Sequence, residues 1–309
     1  MIGGTASIRN MASGNCTNYL STDKTPERGE NSMSQITKDF VRQVQKTSFE
    51  DFSERTLHET KKAVIDTVGC ILAGTQSPIG KATMEVFEGF GGRPESSVVG
   101  SARKVPAAIA AYINAEACVG PDLSDNYQPE SVIISHPGEA VIPAVLALAE
   151  RDGRTLKDLY TAVVLGYETA GRYAMSIEPR RPEVYSFSTH YTLAAAVGCG
   201  KILDFSEVEM ERNLGIAGAL ASLPVTAQMW GFRKRPASWH RDMPGHSNFS
   251  AVIASQYVKT GFESSHALLD PETEFYKIAG SDNFNPDHLL KGWGKKYVID
   301  ELTFKQIPT

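Results

Sequence analysis

An apolar, Ala-rich run over residues 105–119 ends at Gly120-Pro121, through which a helix does not easily continue. A second apolar run, residues 139–150, starts just after Ser135-His136-Pro137-Gly138. Between these two helix ends the chain gathers Asp122, Asp125, Asn126 and His136 on loop backbone, where side chains can converge on a small ligand. The same residues also suit plainer duties. Asp and Asn after a helix form turns and cap the next helix, and His-Pro-Gly is an ordinary loop tripeptide. Residue types and spacing leave both readings open.

The rest of the chain reads as helices. Phe40, Val41 and Val44 share one helical face, and Leu57, Val64, Val68, Ile71 and Leu72 recur at three- and four-residue steps in a longer helix ending at Gly74. A third helix is predicted over about 81–90, closed by Gly91-Gly92-Arg93-Pro94, with a short extended segment at 97–100. Residues 156–175 form a long apolar helix buried on most sides, and 191–203 is rich in small residues that allow close packing. Ser206 and Glu209 have capping-box spacing and open a helix to about residue 222. Ala251, Val252, Ala254 and Tyr257 belong to another, ended by Gly261, and Val298, Leu302 and Phe304 suggest a strand. The expected fold is an all-α bundle over 34–272, followed by an extended piece at 273–309.

Composition narrows the function classes. The chain has 309 residues, 41% hydrophobic and 22% charged, with ample material for a core, and its net charge of -5 carries no like-charge block. Nucleic acid and acidic membrane surfaces are therefore not expected partners. No stretch reaches the ~18 apolar residues of a bilayer span. Cys16, Cys70, Cys118 and Cys199 are scattered without a Cys-x-x-Cys pair, and the seven histidines show no His-x-x-x-His spacing, so neither a disulfide framework nor a metal site is expected. Residues 1–33, poor in large apolar side chains, are expected to form a disordered tail. That tail lacks the apolar core of a secretory signal and carries Asp23, Glu27 and Glu30, which a mitochondrial presequence avoids. The expected location is cytoplasmic, with the mitochondrion left open.

Asp122-x-x-Asp125 followed by His136-Pro-Gly-x-x-Val-Ile-Pro-Ala resembles the MmgE/PrpD family. Asp66-Thr67-Val68-Gly69-Cys70, Val164-Leu-Gly-Tyr-Glu168, Thr189-His190 leading an Ala-rich helix, and Phe304-Lys305-Gln-Ile-Pro308 are similar to further family segments in the same order. The resemblance implies a helical domain of that type over 34–272 and, at 273–309, the first strand of an α+β lid domain that the family continues well past Thr309. It also implies a cofactor-independent lyase, a dehydratase or decarboxylase, acting as a homodimer on a small citrate-like polycarboxylate by proton abstraction beside a carboxylate. On this reading His136 and His190 are acid/base or carboxylate-binding groups, with Asp122 and Lys305 also catalytic and Asp125 and Asn126 binding substrate.

The segment 229–246 mixes Trp230, Phe232 and Trp239 with Arg233, Lys234, Arg235 and Arg241. It reads either as a solvated basic loop or as an anion clamp, since Arg pairs bidentately with carboxylate. Set against the family pattern, His240 fills the place of an active-site lysine, with Arg241 beside it and Lys234 as a substitute; Asn126 stands where relatives often have Thr. Two other outcomes stay open: an isomerase or epimerase on a dicarboxylate, and an inactive helical remnant acting in dimerisation or binding. A chain lacking the lid is expected to have little lyase activity.

Overall fold

A computed structural model describes residues 35–129, 133–222 and 244–308. Its helices begin where serine, threonine or proline can serve their exposed first turns. Ser53 accepts from the Thr56 amide to open α2 (Glu54–Gly74), and Ser77 accepts from Gly80 to open α3 (Pro78–Val86), with Pro78 at the first helical position. Reciprocal capping boxes, Thr155 with Asp158 and Ser206 with Glu209, open α6 (Leu156–Ser176) and α8 (Glu207–Leu220). The others are α1 (Ile36–Lys46), α4 (Ala107–Val119), α5 (Pro137–Arg151), α7 (Phe187–Ile202) and α9 (Pro244–Lys259).

The architecture is the expected all-α bundle. At its centre α7, nearly all buried, packs against α5, α6, α8 and α9, and α4 closes one side against α2, α5 and α9. Small residues set these spacings. A Cβ at Gly74 would lie 1.6 Å from the Ala117 carbonyl oxygen, so α2 and α4 meet backbone to backbone.

Helix α5 contains Pro143, which cannot donate to the Glu139 carbonyl one turn back. The Asn248 side chain of α9 fills the gap: its Nδ2 donates to the Glu139 carbonyl at 2.8 Å, and its Oδ1 accepts from the Ala144 amide at 2.9 Å. Both groups disturbed by the proline are thus satisfied from the neighbouring helix, and α5 runs on unbroken.

Two antiparallel ribbons complete the description: β1 (Ser96–Ser97) with β2 (Lys104–Val105), and β3 (Asn126–Tyr127) with β4 (Leu302–Thr303). The segment leading to β4 lies against the bundle. Trp293 meets Phe40 edge-on at 5.8 Å and donates to Thr47 Oγ1 at 2.9 Å, and Arg172 donates to the carbonyls of His288, Leu289 and Lys291.

Several expectations need correction. Helix α3 starts at Pro78 and ends at Val86, because the Ser77-Pro78 pair is its cap. Helix α7 starts at Phe187 rather than 191, so His190 lies inside its first turn. In α2 the buried stripe is Thr56, Thr60, Ala63, Thr67, Cys70 and Ile71; Leu57, Val64 and Val68 are only half-buried, and Leu72 is 48% exposed. At the end of this stripe Gly74 meets the backbone of α4, and Thr67 meets Gly138 of α5. Tyr257 belongs to α9 as expected, half exposed, with its ring tilted against Phe262 at 5.3 Å. The strand expected around 298–304 is mostly a 3-10 turn, Val298–Glu301, before the two residues of β4. The Val298 amide donates to the buried Glu168 carboxylate at 2.7 Å, and the Tyr297 amide donates to Asp300 at 3.0 Å, so side chains take the place of a ladder partner. The expected tail at 1–33 and Cys16 lie outside the described residues. Among the described residues Cys70, Cys118 and Cys199 are buried and free.

Candidate active site

The loop after α4 turns at Asp122, whose φ of 54° is a left-handed conformation that aspartate tolerates. Backbone bonding then folds the chain back on itself: Tyr127 N donates to the Ser135 carbonyl at 2.9 Å, which brings His136, the N-cap of α5, beside Asp125. The His136 Nδ1 lies 2.9 Å from the Asp125 carbonyl oxygen. A carbonyl only accepts, so Nδ1 carries the proton and the basic lone pair lies at Nε2.

Register in the second ribbon delivers Lys305. With Asn126 opposite Thr303, the chain beyond β4 runs back along the 122–125 loop, and Lys305 Nζ donates to Asp122 Oδ1 at 2.8 Å. The Lys305 side chain is only 3% exposed, which makes this a largely desolvated ion pair.

The first turn of α7 forms the opposite wall. Phe187 meets the His136 ring at 5.7 Å and the His190 ring at 5.2 Å, both edge-on. Tyr191 links the halves: its hydroxyl accepts from the His136 amide at 3.2 Å and donates to Glu139 Oε1 at 3.3 Å. His190 is fully buried, with no side-chain hydrogen-bond partner and only the Ser186 backbone one turn back acting on its ring. Burial, reinforced by the nearby Arg180 guanidinium and by His136, holds its pKa well below the ordinary histidine value.

The structure therefore brings together five of the residues singled out from sequence: His136, His190, Asp122, Asp125 and Lys305. Asn126 is adjacent, 7% exposed, with a buried Oδ1 that lacks a partner. Lys234, His240 and Arg241 lie outside the described residues.

Sequence reading missed a carboxylate network beneath this cluster. Asp125 is buried, accepting from Gly138 N at 2.8 Å and from the Tyr167 hydroxyl at 2.9 Å. Glu139 accepts from Ser124 Oγ at 2.6 Å and feels Lys305 and Asp122. Glu116 accepts from Gly245 N at 3.0 Å. Burial raises all three: Asp125 to about 7, helped by Asp66 and Glu139; Glu139 to about 7; and Glu116 to about 8, helped by Glu139. The one available signal was an acid inside an apolar helical run, as at Glu116 and Glu139.

These shifts fix a direction for stability. Carboxyls with raised folded-state pKa values hold more protons folded than unfolded between about pH 4 and 8. Their stabilisation is complete below the unfolded pKa and is lost as pH rises through 7 to 8. The melting temperature is expected to fall between pH 5 and pH 8.5, and Glu116→Gln should flatten the upper part of that profile. A melting temperature that rises steadily over this range would contradict the protonated network.

A family model described as the MmgE/PrpD N-terminal domain matches residues 38–287. The chain belongs to the MmgE/PrpD family. Among similar proteins, cis-aconitate decarboxylase of Homo sapiens is 24% identical over 283 residues, 88% of this chain and 56% of the relative. Cis-aconitate decarboxylase of Aspergillus terreus is 25% identical over 248 residues, 78% and 49%. The cis-aconitate decarboxylase-like protein oryM of Aspergillus oryzae is 24% identical over 300 residues, 92% and 59%. The chain thus spans about half the length of the curated relatives it matches. Within its MmgE/PrpD domain, no group of three or more His, Cys, Asp or Glu among the described residues could hold a metal ion, and no described helix is long and apolar enough to cross a membrane.

Proposed function

We propose that this MmgE/PrpD protein is a cofactor-independent lyase that dehydrates or decarboxylates a small citrate-like di- or tricarboxylic acid. The observation that carries the reading is the fixed tautomer of His136. Its Nδ1 proton is committed to the Asp125 carbonyl, so Nε2 can take a proton from carbon beside a carboxylate, or return one. Relatives named cis-aconitate decarboxylase support the reaction class.

Either reaction leaves an electron pair on carbon that spreads into the adjacent carboxylate as enediolate-like charge. A low-dielectric site with a cation already in position stabilises that charge with little reorganisation. Lys305 is such a cation, held by Asp122. In decarboxylation the carbon–carbon bond breaks, carbon dioxide leaves and the carbanion is protonated; in dehydration the carbon proton goes to the base, the electron pair forms the double bond, and the hydroxyl leaves as water on taking a proton from the protonated base or a second acid. Asp125 orients His136 in both, and Asn126 is a candidate substrate contact. His240, Arg241 and Lys234 are proposed to add positive charge from the 229–246 segment.

The test is to incubate the full-length protein with cis-aconitate, citrate and methylcitrate in D2O and to follow products by proton NMR. Carbon dioxide or water loss, with deuterium at the protonated carbon in the decarboxylation, is the expected result. Deuterium exchange without a lyase product would favour an isomerase or epimerase. Neither turnover nor exchange on any of the three would overturn the proposal.

A further inference from the structure

Arg180 lies on the 178–186 segment between α6 and α7 and was not singled out from sequence. Its backbone is held from outside by a bridge to Ser281, and Ser281 Oγ donates to the Pro179 carbonyl at 3.0 Å. The guanidinium lies 5.0 Å from the centre of the Phe187 ring, the same ring that both site histidines touch. Its Nε pairs with Glu178 Oε1 at 2.6 Å and its Nη1 donates to Ser186 Oγ at 3.2 Å. The side chain is 15% exposed. Guanidinium has five N–H donors, so these two contacts leave three more on the Nη fork, the geometry that grips a carboxylate bidentately.

Three further features belong to the same end of α7. Ser186 is the N-cap of α7, yet its hydroxyl makes no side-chain cap bond, so the positive end of a 16-residue helix lacks its usual oxygen acceptor there. His190, one turn in, is fully buried with only the Ser186 backbone acting on its ring, and Thr189 Oγ1 is buried without a partner. Arg180 is close enough to His190 to oppose its protonation. A half-buried cation, a helix N-terminus without its side-chain cap and a buried unpartnered hydroxyl are together what a desolvated anion requires, because each unmet polar group otherwise costs stability.

We infer that Arg180 is the anchor for a substrate carboxylate remote from the reacting carbon, with His190 as the second hydrogen-bonding partner of that carboxylate. The inference rests on the polycarboxylate reading above and assigns its carboxylates, one to Arg180 and one to the side of the site that holds Lys305 and His136. Glu178 tempers the guanidinium charge while the site is empty.

The test uses full-length protein and the unreactive ligand tricarballylate, with binding measured by calorimetry and folding checked by melting temperature. Arg180→Gln is expected to weaken binding about 10–100-fold, as loss of a bidentate charge-assisted contact does, and to raise KM far more than it lowers kcat. Arg180→Lys should fall between the two. Glu178→Gln breaks the same ion pair but keeps the cation, so it should leave affinity unchanged or tighten it. Equal losses in Arg180→Gln and Glu178→Gln would mean that the pair is merely structural, and the inference would fail. Should Arg180→Gln not fold, Arg180→Lys against Glu178→Gln decides the same question. If the wild-type protein binds tricarballylate and Arg180→Gln binds it within twofold, only the anchor is wrong; if the wild type does not bind it, the polycarboxylate reading itself is wrong.

Discussion

His136→Gln is expected to lower kcat by about 10²–10⁴-fold, the usual contribution of a positioned acid/base group, while KM changes little. Glutamine can still donate toward the Asp125 carbonyl, but its amide has no basic nitrogen to carry a proton. The variant should stay folded, because α5 is begun by Pro137 and by backbone bonds rather than by the imidazole. Deuterium exchange at carbon should fall in step with kcat, since both pass through the same proton. Turnover within tenfold of wild type would remove His136 from the chemistry and leave it as a loop fastener.

Gly74→Ala is expected to cost about 3 kcal/mol or more, a large share of the roughly 5–15 kcal/mol that holds a domain together. The added methyl would meet the Ala117 carbonyl at 1.6 Å, and backbone oxygen cannot swing aside as a side chain can. Gly69→Ala, five residues earlier on the same helix, meets nothing within 4 Å and should instead stabilise by about 0.5–1 kcal/mol through helix propensity. Denaturation midpoints of the two variants should move in opposite directions. A tolerated Gly74→Ala would mean that α2 and α4 are less tightly packed than described. Such loosening would reach the site, because Thr67 of α2 lies against Gly138, which in turn donates to Asp125.

Much of this was legible in the chain because the signals are local. Ser206 with Glu209 announces a helix start by hydrogen bonds made within four residues, and Gly120-Pro121 ends one by steric exclusion alone. The pairing of Asp122, Asp125 and His136 between two helix ends was likewise readable. Orientation was not. In α2 the expected Leu and Val face gave way to a Thr, Ala and Cys face, because the neighbour's distance, which decides what fits, is not written in the helix itself. Glu139 stood in the sequence only as the first residue of an apolar run; the fold reveals that Ser124 and Tyr191 converge on it. Arg180 gave no signal at all, since its meaning depends on the ring of Phe187 and on a cap that Ser186 does not make.

The exchange between Pro143 and Asn248 has a consequence in the history of the chain. Either residue changed alone leaves a misfit: without Asn248 the Glu139 carbonyl and the Ala144 amide are stranded in the interior, and without Pro143 the carboxamide competes for bonds the helix would make itself. Changed together, they cancel. Two positions 105 residues apart are thereby bound into one heritable unit, so that descent through single substitutions must cross a less stable ancestor or keep both letters.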